Sequence, residues 1–233
     1  MEQKEQGAPA RRYNPEQTRA VILDAAEQLF AEHGYEGASI RDIASLASFR
    51  LGMITYHFGT KEELFRQVIA RRADDYVSAT ATSLDAAVSR ADGAPGTEAV
   101  IRAYLQPAIE LSARGGAGWK NYLQLLARAM NTRQHEAFLE PVLRTYDPLV
   151  RKIVAVFRLS RPEMDEAQLH WAFYFLQAAF IHILVEAGIV DRHSHGLCRS
   201  SDLDAILDEM VPFFAAGFDR LARHAPAAAA SRR

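Results

Sequence analysis

Apolar residues recur every three or four positions along most of the chain, and glycine and proline are scarce inside those stretches. That spacing is the helical repeat, and alternating strand-like runs are hard to find, so the chain reads as all-α. With 49% hydrophobic and 24% charged residues it has enough apolar material to bury a core, and its 233 residues fit one or two domains. Lys and Arg total 27 against 29 Asp and Glu, so no global basic excess advertises nucleic acid. Any such binding must rest on a local patch. The single cysteine, Cys198, excludes an internal disulfide framework and a Cys-rich zinc module, and suits the cytoplasm. The opening MEQKEQGAPARRYN lacks an apolar core, and Gln177 and His182 interrupt the apolar stretch 171–185. Neither a signal peptide nor a membrane span is expected.

Helix punctuation divides the chain. Asn14-Pro15-Glu16-Gln17 combines an N-cap, a proline suited to the first helical position and a glutamine able to reach back, which opens a helix over 15–33 closed by Gly34. Ser39 caps a short helix through 47, with Asp42 near its positive end. A third helix spans 51–57, and Thr60-Lys61-Glu62-Glu63 starts a long fourth. The turn-rich segment 91–96 ends that one, and further helices are expected at 97–113, 118–132, 135–158, 163–188 and 202–223. Pro141 and Pro148 should kink or split the third of these. Residues 1–13 read as a flexible basic arm, 14–62 as one domain, 63–224 as a second, and 225–233 as a disordered tail.

Helices 39–47 and 51–57, joined by a few residues and braced by the first, have helix-turn-helix spacing. A reading helix must be short and held proud by an apolar tripod, here Ile40, Ile43, Ala44, Phe49, Ile54 and Phe58. Between Ser39 and Lys61 the charges are Arg41, Arg50 and Lys61 against Asp42 alone, a positive patch. Ser39, Tyr56, His57 and Lys61 can donate to phosphates, and the helix starts near Ser39 and Thr60 add amide ends. Short helix pairs also occur in proteins that never meet DNA, and Tyr56, His57, Arg41 and Lys61 each admit a packing or solvated role.

The run from Thr18 to Phe65, with ILDAAEQLFAEHGYEGASIRDIA, LGMITYHF and GTKEELF, resembles the DNA-binding domain of the tetracycline-repressor (TetR) family. The resemblance implies a homodimeric transcriptional regulator, usually a repressor, that leaves double-stranded operator DNA when a small molecule binds its second domain. By resemblance Ser39 makes a phosphate contact, Arg50, Leu51, Gly52, Met53 and Thr55 take groove-facing positions, and Tyr56, His57 and Lys61 take phosphate-contacting ones. The chain departs from the family's usual pattern with Ser48 in place of a turn glycine, Arg50 in place of serine, and Thr55 where tyrosine or asparagine is common. Arg50 and Thr55 are then the candidates for base readout, Arg50 through a bidentate contact to guanine. Arg11 and Arg12 either enter a minor groove or solvate the arm.

The stretch 171–185 is apolar almost all round, so it must be covered on more than one side. One side can face its own bundle and the other a second subunit, together with Leu203, Ile206, Leu207, Met210, Val211, Phe213, Phe214 and Phe218. A homodimer through the last two long helices follows. Candidate effector-lining residues are Tyr104, Leu105, Ile109, Trp119, Tyr122, Leu123, Leu126, Met130, Phe138, Phe157 and Phe173, with Arg128 either neutralising an acidic head or sitting at the surface. Any one of them can equally fill an ordinary core. The segment 119–184 looks like the second domain of fatty-acid-responsive regulators of the same family, which implies a small, apolar, fatty-acid-like effector. Asp191, His193, His195 and Cys198 form a close cluster, read as a solvated connector rather than a metal site. No catalytic triad, phosphate loop or HExxH appears, so neither an enzyme nor a cofactor is expected. The rival reading is a helical lipid carrier or an enzyme that uses the second domain's pocket.

Overall fold

The computed structural model describes residues 14–131, 136–185 and 188–223, and the backbone alone for 136–138. The basic arm with Arg11 and Arg12, the tail 225–233 and the Phe138 side chain lie outside the described residues. Among those described there are helices and turns and no strand. Helix α1 (Pro15–Gly37) begins with the anticipated box: Asn14 Oδ1 accepts from the Gln17 amide at 2.7 Å, and Gln17 Oε1 accepts from the Asn14 amide at 3.1 Å. Gly34 breaks it with φ 70° and ψ 177°, where a glycine needs no strain to go. A short turn then runs on to Gly37.

Helices α2 (Ile40–Leu46) and α3 (Leu51–Phe58) follow, with Ser39 capping the first of them. Ile43, Ala44, Ile54 and Phe58 are buried against α1, while Ile40 and Phe49 pack on the margin. The tripod is thus assembled as its spacing predicts. Thr60 caps α4 (Lys61–Ala70), and here the single long fourth helix of the sequence reading is corrected. The chain leaves helical geometry at Arg72 (φ −117°, ψ 4°), and α5 (Ala73–Arg90) is a separate helix. The cause is tertiary. Arg72 is pulled onto Glu27 of α1, with Nε to Oε2 at 2.9 Å and Nη2 to Oε1 at 3.2 Å.

The remainder is a bundle of α6 (Thr97–Arg114), α7 (Ala117–Met130), α8 (Glu136–Leu143), α9 (Asp147–Ser160), α10 (Glu166–Val185), α11 (Ile189–His193) and α12 (Leu203–Arg223). The expected helix 135–158 is divided. A 3₁₀ turn (Arg144–Tyr146) separates α8 from α9, whose early Pro148 fits a first turn, whereas Pro141 is accommodated inside α8. The connector 189–202, expected as a loop, carries the short helix α11. Helix α6 packs against α5, α7, α9 and α12, and α1 lies directly along α7. One apolar cluster therefore runs from Ile22 of α1 to Ala222 of α12 without interruption. The first helix and the bundle thus share one apolar core.

Candidate functional site

The reading helix has two distinct sides. Ile54 and Phe58 are 1% and 3% exposed and anchor it, whereas Arg50, Leu51, Gly52, Thr55 and Tyr56 are exposed, Tyr56 by 82%. The Tyr56 ring meets the neighbouring His57 ring edge-on, with centroids 5.1 Å apart. Met53 and His57 are half-buried. Arg41 and Ser39 are exposed at the start of α2, and Lys61 is half-buried at the start of α4 with its ammonium 4.4 Å from the Tyr35 ring centre. Seven of the ten sequence candidates are thus exposed, three are half-buried, and none is part of the core.

Two details at this face escape sequence reasoning. The Ser39 hydroxyl accepts from the Asp42 amide at 3.1 Å and donates to the Asp42 carboxylate at 2.6 Å, so a phosphate contact from Ser39 must compete with Asp42. Ser48 occupies the left-handed region at φ 58°, so the turn keeps a conformation natural to glycine despite its side chain. Arg19 of α1 was also missed. Its guanidinium donates to the His57 carbonyl at 2.7 Å and to Gln67 Oε1 at 2.5 Å, and lies 4.5 Å from the Phe58 ring centre. Gln67 in turn donates to Glu63 at 2.6 Å. One cation thereby ties the end of α3 to α1 and α4, and it neutralises the carbonyl end of the reading helix.

A second site lies inside the bundle. A cavity of about 60 Å³ is lined by Tyr76, Tyr104, Leu123, Leu126, Met130, Tyr146, Leu149, Gln177 and Phe180, among others. Burial pushes the Tyr76 phenol up to about 12, and Tyr104 and Tyr146 are raised by burial as well, so all three remain protonated donors at neutral pH. Among the described lining residues there is no Lys, Arg, His, Asp or Glu. Leu123 and Leu184 also border an outer cleft of about 650 Å³ with Ser112, Lys120, Gln124, Ser201, Asp202 and Asp204 on its walls.

Of the sequence candidates, Leu123, Leu126, Met130 and Tyr104 line this cavity. Leu105, Ile109, Tyr122, Phe157 and Phe173 are buried core around it instead, and Trp119 packs over Arg72 at 5.1 Å. Arg128 is exposed on the opposite side of α7, in a cleft with Gly34 and Tyr35. Tyr76, Tyr146 and Gln177 were not anticipated as lining. Each sits on a different helix or turn, and no local pattern marks them.

A third surface is apolar. Trp171, Tyr174 and Phe175 of α10 are more than half exposed and in mutual ring contact, Trp171 stacked on Phe175 and Tyr174 edge-on to both, and Phe213 of α12 is 74% exposed. Leu207, Met210, Val211 and Phe218 point into their own bundle instead. Helix α10 is the one described helix long and apolar enough to cross a bilayer, yet it packs against α7, α9 and α12. In the connector, Asp191 accepts from the Ser200 amide at 2.8 Å, which holds its carboxyl below the usual range. Among the described residues no group of three or more His, Cys, Asp or Glu is placed to hold a metal.

Comparison with known proteins bears on both halves. Residues 22–68 match the family described as bacterial regulatory proteins, tetR family, and residues 102–217 match the tetracyclin repressor-like C-terminal domain. Over 64 residues the chain is 44% identical to the HTH-type transcriptional repressor AcnR of Corynebacterium efficiens, a match covering 26% of this chain and 34% of the relative. The chain thus spans about a third of the length of that curated relative. The fold is similar to the transcriptional regulator FadR of Bacillus subtilis in complex with stearoyl-CoA (TM-score 0.59, 14% identity, 85% of this chain and 98% of the other). It is also similar to AibR in complex with isovaleryl coenzyme A and operator DNA (TM-score 0.60, 19% identity, 84% and 97%).

Proposed function

As the chain belongs to the tetR family of bacterial regulatory proteins, we propose that it is a cytoplasmic transcriptional repressor that binds a palindromic operator as a homodimer and is released by a small apolar effector. The observation that carries this reading is the two-sidedness of α3: a firmly buried inner edge and an outer edge offering Arg50, Thr55 and Tyr56 beside the starts of α2 and α4. Arg50 reads a base edge, and Tyr56, His57, Lys61 and Arg41 fix the register on phosphates. The repressor named above and the neighbours bound to acyl-coenzyme A and operator support the same division of labour.

Release follows from size. At about 60 Å³ the cavity holds roughly two waters at 30 Å³ each, so an effector of six or more carbons must select a form in which the lining helices have moved. Two of those helices, α5 and α7, adjoin the Glu27–Arg72 pair that ties down α1. A hundredfold loss of operator affinity requires the effector to favour the non-binding form by about 2.7 kcal/mol. Nuclease footprinting on the DNA flanking the protein's own gene tests the reading. Saturable protection of two half-sites about one helical turn apart is expected. Binding no tighter than to random DNA at physiological salt would overturn it in favour of a pocket protein without an operator.

A further inference from the structure

The hydrogen-bonding state of the inner cavity restricts what can occupy it. Tyr122 is 0% exposed, and its hydroxyl lies 2.6 Å from that of Tyr146. Tyr146 is its one hydroxyl partner among the described residues, so the two possible directions differ in cost. Were Tyr146 the donor, the Tyr122 proton would be buried without an acceptor, a loss of roughly 1–3 kcal/mol. Tyr122 therefore donates, and the Tyr146 proton is left over at the cavity that Tyr146 lines. Tyr104 lines the same cavity and, kept protonated by burial, adds a second phenolic donor there. The cavity thus has more phenolic donors than carbonyl acceptors, Gln177 Oε1 being the one side-chain carbonyl among its described lining residues, inside walls that are otherwise Ala, Leu, Ile, Val, Met and Phe.

From this we infer that the effector site takes a neutral molecule bearing an acceptor oxygen of the carbonyl class, a ketone, ester, thioester or lactone, set against Tyr146 and Tyr104, with its hydrocarbon part among Leu126, Leu149 and Phe180. The inference rests on the cavity being the effector site. It departs from a free fatty acid. A carboxylate would lose its hydration among groups that carry no positive charge, and Glu27 lies close enough on the far side of Tyr122 to raise that phenol further. Two phenol contacts do not offset the several kcal/mol needed to strip an ion of water. A hydrocarbon chain enters only when its head is a neutral carbonyl group such as an ester, thioester or ketone, and a larger head can then sit in the outer cleft beyond Leu123 and Leu184.

Isothermal titration of the full-length protein at neutral pH with 2-octanone and with octanoate tests the assignment on two probes of equal length. The ketone is expected to bind at least about tenfold tighter than the carboxylate. Tyr146→Phe should weaken the ketone by about fivefold, the loss of one neutral hydrogen bond, and Leu197→Ala in the exposed connector should change neither probe. Octanoate binding as tightly as the ketone, or neither probe binding, would overturn the inference. The wild-type ratio decides the matter even if Tyr146→Phe folds poorly. Since the titration contains no DNA, a failed footprint removes the regulatory reading without touching this result, and a failed titration leaves the operator reading in place.

Discussion

At the scale of single residues, the proposed DNA face would separate into side chains that carry sequence information and side chains that carry charge. Arg50 has a planar fork that can take two acceptors of one guanine, whereas Lys61 is a point charge steered by the Tyr35 ring at 4.4 Å. Arg50→Ala should relax the preference at one base position per half-site by about 1–3 kcal/mol. Lys61→Ala should weaken every sequence alike and lower the slope of log affinity against log salt by about one per subunit. Equal losses across all operator variants for both substitutions, measured by fluorescence anisotropy over a salt series, would refute that division. Ser48 permits a different test. At φ 58° its side chain costs about 1–2 kcal/mol that glycine would not pay, so Ser48→Gly should raise the unfolding free energy by about 1 kcal/mol. Denaturant titration that finds no gain, or a loss, would show that the turn is held by something other than this backbone angle.

At the scale of elements, what could be read in advance was what the chain decides locally. The starts of α1, α2 and α4 follow from Asn14, Ser39 and Thr60, because a capping side chain acts within three residues of itself. The apolar spacing of Ile43, Ile54 and Phe58 likewise fixes which side of the reading helix is free. The break between α4 and α5 was illegible. Neither Arg71 nor Arg72 is a helix breaker, and the partner that bends the chain there, Glu27, lies 45 residues earlier. The cavity was partly legible for a related reason: Leu123 and Leu105 are both almost fully buried, and only the distant placement of Tyr76, Tyr146 and Gln177 decides which of them faces empty space. The junction of α1, α5 and α7 makes its own prediction. A Cβ on Gly118 would lie 2.4 Å from Arg72 Nη2 and 3.0 Å from Glu27 Oε1. Gly118→Ala must therefore push Arg72 off a glutamate that is 1% exposed. Breaking a buried pair in this way costs about 3–5 kcal/mol, more than the helix propensity of alanine returns. A melting temperature equal to that of the wild type would show that the pair relaxes without loss.

At the scale of the whole molecule, the proposed homodimer would rest on the exposed aromatic face of α10 and α12. Trp171, Tyr174 and Phe175 form a group in mutual ring contact on one helix, and Phe213 stands on its neighbour, in a protomer whose remaining apolar side chains are mostly inside. Water-exposed aromatics at this density cost free energy that a second copy, offering the same face across a two-fold axis, would recover. Each protomer carries one α3, so a monomer reaches a single half-site, while a dimer places two of them at a fixed separation and binds with the second contact already prepaid in orientation. Phe175→Asp puts a charge in that group and repels its own symmetry mate, yet Phe175 is 52% exposed in the protomer, so the fold should survive. Sedimentation should then report a monomer with unchanged helical content, and operator affinity should fall by about a hundredfold or more, towards that of one half-site. A dimer persisting in the variant would place the subunit contact elsewhere; a monomer with undiminished operator affinity would show that one reading head suffices and that the spacing of two plays no part in recognition.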